Sequence, residues 1–201
     1  MFIKSILRSV IIVSSLMTQI AYADNSIKSG TYEFVKLVVT PEKKIQGVFL
    51  EEFGVGVNIS CSFNFEGQLT DKKVTKLRTW GSEDIDGSIE RVGDGIVKLK
   101  VNGDHPGCMG LSGNFLKEGM DIKLDESKKW IRFAAISKDK VYLSKADNKD
   151  IKSKVYIIKD NVFAILKEEG DKVFIEYINH NAKSFKGWIN KSDYKDFKDS
   201  I

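Results

Sequence analysis

From Val155 to Tyr194 the chain is a series of short runs with apolar residues at every second position, each bounded by a turn signal: Asp160-Asn161, Gly170-Asp171 and Lys186-Gly187. Period two is the spacing of a half-buried β-strand, and runs this short with turns this tight fit a small antiparallel barrel. The same texture fills the rest of the chain. Gly30 to Val39 reads as a first strand ended by Thr40-Pro41, followed by strands at 46–51, 55–66, 73–80, 89–92 and 96–101. Asp86-Gly87 and Asp94-Gly95 are the dipeptides that favour hairpin turns. No stretch before Lys117 carries a helical period, so an all-β protein is expected, with an N-terminal small β-barrel or sandwich and a second small barrel after it.

The first 23 residues have the layout of a secretory signal peptide. Lys4 and Arg8 precede an apolar run through Val10, Ile11, Ile12 and Val13, and Ala21-Tyr22-Ala23 supplies small residues for cleavage. Ser14, Ser15, Thr18 and Gln19 interrupt the run, which is too short to span a bilayer. The expectation is a soluble exported protein, with the periplasm of a Gram-negative bacterium as its place and no membrane contact after cleavage. The formal net charge of +4 includes Lys4 and Arg8, so the rest of the chain is almost balanced. No run of five basic residues occurs, and nucleic acid is not an expected partner.

An oxidising compartment gives the two cysteines a role. Cys61 falls on the inward face of an alternating run with Val57, Ile59, Phe63 and Phe65, and a bond to Cys108 would close a loop of 47 residues. His105 stands three residues before Cys108, too little for a metal site or an activated thiol. Asp84, Asp86 and Glu90 could suggest calcium but lack the spacing of a binding loop, and a solvated hairpin tip explains them. The glycines from Gly103 to Gly113 lack the lysine and the helix of a phosphate loop. No cofactor or metal is expected. With two histidines and a cysteine in mid-strand, the usual nucleophile, base and metal sets are missing, and the expected protein is not an enzyme.

Two resemblances add to this. Cys108 with Gly110 to Lys117, taken with Gly30-Thr31-Tyr32-Glu33-Phe34, resembles the closing and opening strands of small exported bacterial β-barrel proteins, including periplasmic lysozyme-inhibitor-like barrels. It covers residues 30–119 and carries over no inhibitor loop. The order Val141-Tyr142-Leu143, Val155 to Asn161, Phe163 to Leu166, Gly170-Asp171, Val173 to Tyr177 and Gly187-Trp188-Ile189 resembles a bacterial SH3-like domain over residues 137–197. Residues 120–136 are connecting strands that could belong to either half. The SH3-like resemblance implies binding to cell-wall peptide or to another protein. Lys172 stands where such domains often carry tryptophan, which moves attention away from a standard aromatic groove.

Alternation in this half assigns Phe163, Ile165, Val173, Ile175 and Tyr177 to the core. Val162, Ala164, Lys172, Phe174 and Glu176 then face outward, and with Trp188 they form the expected partner surface. An exposed Phe174 beside Val162 calls for a cover, either the N-terminal barrel or a partner. Tyr142, Tyr156 and Tyr194 read as barrel or rim residues. The functional expectation is an exported protein-binding protein, an inhibitor or immunity factor against a cell-wall-attacking enzyme. A peptidoglycan-targeting module is the alternative, and a cell-wall hydrolase ranks below both.

Overall fold

In the computed structural model, residues 26–53, 59–81, 83–106, 108 and 112–200 are described. The leader expected over residues 1–23 lies outside them, as does Val57. Eight strands form a closed antiparallel barrel in chain order: β1 (Gly30–Tyr32), β2 (Val35–Val39), β3 (Lys44–Phe53), β4 (Ile59–Gln68), β5 (Val74–Trp80), β6 (Asp84–Gly93), β7 (Ile96–Val101) and β8 (Met120–Ser127). Alternation delivers the interior. Leu37, Ile45, Phe49, Phe63, Phe65, Leu99 and Ile122 are all buried inside, with Phe49 and Phe63 stacked at 4.9 Å. Gly47 makes room for this packing, because a Cβ there would stand 2.0 Å from the Phe65 ring. The Cys61–Cys108 disulfide ties β4 to the segment that precedes the short helix α1 (Gly113–Glu118).

Three local expectations are corrected. The first strand is a hairpin: Tyr32 pairs with Val35 across a two-residue turn at Glu33-Phe34. Strict alternation would turn Val35 and Leu37 away from the face of Tyr32, whereas the hairpin buries all three. Asp86-Gly87 is not a turn but lies inside β6, opposite Arg78 and Leu77. Its glycine serves close approach, since a Cβ would come within 2.7 Å of the Lys100 carbonyl oxygen. Finally, Gly113 to Lys117 belongs to α1, not to a closing strand. Gly113 and Leu116, three apart, are buried while Phe115 is exposed, which is helical spacing, and β8 closes the barrel on β1 instead.

The second unit is a curled seven-stranded sheet: β9 (Arg132–Ile136), β10 (Lys140–Ser144), β11 (Lys152–Ile158), β12 (Val162–Glu169), β13 (Lys172–Ile178), β14 (Ser184–Asn190) and β15 (Tyr194–Asp196). Their spatial order is β11-β10-β14-β13-β12-β9-β15. Its concave side buries Ile136, Leu143, Ile157, Phe163, Ile165, Val173, Ile175 and Ile189. The connecting residues divide between the units, β8 closing the barrel and β9 pairing with β12 and β15.

The units are joined by an aromatic cluster. Val38 and Trp80 from the barrel pack with Trp130, Phe133, Ala164 and Phe197. Trp80 and Phe197 meet edge to face at 5.2 Å, and Phe133 lies 5.6 Å from both Trp130 and Phe197. Hydrogen bonds fix the registration. Trp80 Nε1 donates to the Ser200 carbonyl at 2.8 Å, Asn64 Nδ2 to Ser200 Oγ at 3.0 Å, and the Phe133 amide to Gln46 Oε1 at 2.8 Å. Each of these polar groups is thereby satisfied within an apolar interface.

Candidate recognition surface

The outward side of the second sheet is divided. Val162, Ala164 and Glu176, three of the residues expected on a partner surface, lie toward the barrel. Ala164 is buried in the inter-unit cluster and Val162 packs against it. Glu176 is also buried; it accepts from Trp130 Nε1 at 2.8 Å and from Ser184 Oγ at 2.7 Å, with Lys128 and Lys186 each 3.7 Å away. Burial raises its pKa, but these donors and lysines outweigh burial and hold the carboxyl below its usual value. The barrel therefore covers this end of the face.

Lys172, Phe174 and Trp188 lie at the other end. Phe174 is not beside Val162, because β12 and β13 run antiparallel with Ala164 opposite Glu176, which sets Phe174 at the far end of β12, opposite Lys167, and beside Trp188 on β14. Its ring centre is 5.2 Å from that of Trp188, which is itself mostly buried and donates from Nε1 to the Ala146 carbonyl. Lys172 donates to the Lys149 carbonyl at 2.8 Å and pairs with Asp150. Trp188 thus works as a wall more than as a platform.

The platform is beside it, on β10 and the edge strand β11. Val141, Leu143 and Ile157 point into the core, so Tyr142, Tyr156 and Ile158 point out, with 43%, 48% and 50% of their surfaces exposed. The two tyrosine rings are 5.8 Å apart, and Lys140 Nζ lies 3.9 Å from the centre of Tyr156 and 4.9 Å from that of Tyr142. Hydrogen bonding with the Tyr142 side chain is the main effect raising the Lys140 pKa, so the ammonium stays charged. A groove of about 240 Å³ runs from Tyr142 to Trp188, lined by Lys138, Lys140, Lys152 and Lys172 and by one acid, Asp193, which is paired with Lys138. It combines broad apolar rings with cationic tips, chemistry suited to an acidic surface.

Tyr142 and Tyr156, expected as barrel or rim residues, were missed as part of this surface, although the alternation in Val141-Tyr142-Leu143 and Val155-Tyr156-Ile157-Ile158 is a signal that sets them opposite the core. What it could not supply was the adjacency of β10 and β11, which concentrates them in one patch. Tyr194, by contrast, packs edge to face on Phe163 at 5.7 Å.

Near the disulfide lie two buried polar side chains, His105 and Thr79. His105 stacks on Phe63 at 4.6 Å, with Nε2 2.7 Å from Thr79 Oγ1. That hydroxyl donates to the Ile85 carbonyl, so it accepts from His105 Nε2–H and leaves Nδ1 as a bare acceptor. Burial lowers the histidine pKa, in keeping with a neutral ring, and burial likewise raises that of Glu51. Cys108, bonded to Cys61, offers no thiol for His105 to activate. Among the described residues no group of three potential metal ligands occurs, and no helix is long and apolar enough to cross a membrane. In comparison with known proteins, no family model, no curated protein and no solved structure matches the chain.

Proposed function

We propose that this chain is an exported, non-enzymatic binding protein of the Gram-negative periplasm that holds an acidic protein surface against the Lys140–Tyr142–Tyr156 patch. The observation that carries the reading is the exposure of Tyr142, Tyr156 and Ile158 side by side, capped by a lysine and flanked by a basic groove. Tyrosine is enriched where partners meet because it contributes large apolar area at low entropic cost and keeps a polar tip. The SH3-like resemblance of residues 137–197 supports a binding role, and the disulfide supports export. A cell-wall-attacking enzyme, with this protein as its inhibitor or immunity factor, is the partner class consistent with the barrel resemblance.

The test sets two baits against each other. Protein lacking residues 1–23 is incubated with periplasmic extract and, separately, with insoluble peptidoglycan. Retention of a defined protein that falls about tenfold or more in the Tyr142→Ala/Tyr156→Ala variant supports the reading. Sedimentation with bare peptidoglycan, lost in the same variant, overturns it in favour of a wall-targeting module.

A further inference from the structure

The docking of the two units leaves a cleft alongside the aromatic cluster. Two cavities of about 330 and 380 Å³ lie next to each other and share Lys36, Val48, Leu50, Ile178 and His180 in their walls. Lys36 projects outward from β2, between the inward-facing Val35 and Leu37, and stands where the two cavities meet. Its ammonium donates to the Ile178 carbonyl at 2.7 Å, and it takes part in no ion pair among the described residues. Burial lowers its pKa.

The other charged groups of the cleft are mixed: Glu33 and Asp125 also line the second cavity, and the rest are paired with one another or with a neighbouring lysine. Lys128 is paired with Glu126 and Glu176, and Asp160 with Lys195. An ammonium has three donors, and a half-buried one with a single neutral acceptor is short of a counter-charge. The walls differ between the cavities. The first presents Trp80, Phe133 and Val162; the second presents Thr31, Asn179 and Ser184, and Leu50 lines both.

We propose that this cleft binds the carboxylate end of a short peptide, with Lys36 pairing the carboxylate, an apolar side chain against Trp80 and Phe133, and peptide groups along the polar cavity. A peptide brings amide groups to that polar wall, which an aliphatic acid does not, so a peptide is the better match. The site is separate from the Tyr142–Tyr156 patch and does not depend on it.

The experiment is a calorimetric titration of the protein lacking residues 1–23 with acetyl-Leu-Ala-Ala as the free acid and as the C-terminal amide. The acid is expected to bind about tenfold or more tightly than the amide, the difference that loss of one charge-assisted hydrogen bond produces. In Lys36→Met, which keeps an unbranched apolar stem, that preference should vanish while capture of a protein partner stays intact. Equal binding of acid and amide to the native sequence, or no binding of either at millimolar concentration, overturns the proposal without needing the variant. Preference for the acid that survives in Lys36→Met overturns it as well.

Discussion

Phe197 is the side chain whose removal tests the joined architecture most sharply. It lies in a short 3-10 turn (Phe197–Asp199), is 1% exposed, and sits between Trp80 of the barrel and Phe133 of the second sheet. Truncating a buried phenylalanine to alanine costs about 3–5 kcal/mol, the sum of lost transfer energy and the cavity left behind. Part of the cavity can collapse here because the turn is short, so the lower half of that range applies, about 3 kcal/mol. For a chain of this size such a loss lowers Tm by about 6–12 °C. Phe197→Leu keeps most of the volume and should cost about 1 kcal/mol. Thermal unfolding followed by tryptophan emission reads the change directly, since Trp80 and Trp130 both belong to the cluster. The alanine variant should also shift native-state emission to the red, as Trp80 gains water when the turn carrying Ser200 loosens. A loss below about 1 kcal/mol with unchanged emission would refute the idea that this cluster holds the units together.

Further predictions concern the barrel and the covered face. Replacing both cysteines by alanine opens a loop of 47 residues and should cost about 4 kcal/mol by chain entropy; two free thiols in denatured exported protein would refute the disulfide. The Glu176 carboxyl has a folded pKa below its unfolded one, so its stabilisation is present above the unfolded value of about 4.3 and fades as pH falls through the lower folded value. Glu176→Gln should therefore flatten the acid limb of the stability curve below about pH 4, and equal acid slopes in the two proteins would count against the buried carboxylate. Gly47→Ala forces Phe65 off its position and should destabilise by about 1–3 kcal/mol, whereas an unchanged Tm would mean the ring does not cover that glycine.

Much of the architecture was legible because alternation and turn chemistry are local. The runs around Cys61, Phe163 and Val173 declare their inward faces at period two, and the all-β class follows from their number. Local reasoning failed where a neighbouring strand decides. Asp86-Gly87 has the chemistry of a hairpin turn, yet the close passage of β7 uses its glycine inside a strand. The hairpin at Glu33-Phe34 has no glycine to announce it and is set by the need to bury Tyr32, Val35 and Leu37 together. The candidate surface divides in the same way. Outward orientation could be read from alternation, but what covers an outward residue depends on contacts distant in sequence. Trp80, Trp130 and Phe197 are spread over more than a hundred residues, and only folding brings them over Ala164. Lys36, flanked by two core residues, has no sequence signal to separate it from any solvated lysine.

One face of the second sheet is divided, its Val162–Ala164–Glu176 end closed by the barrel and its Tyr142–Tyr156 end exposed. Hydrogen exchange of the backbone, measured on the protein alone and in complex with the protein it captures, tests that division directly. Exchange should slow over Lys140–Ser144 and Lys152–Ile158 on binding and stay unchanged in Val162–Glu169, where the barrel is already the cover. Protection confined to the barrel strands, with β10 and β11 unaffected, would contradict it.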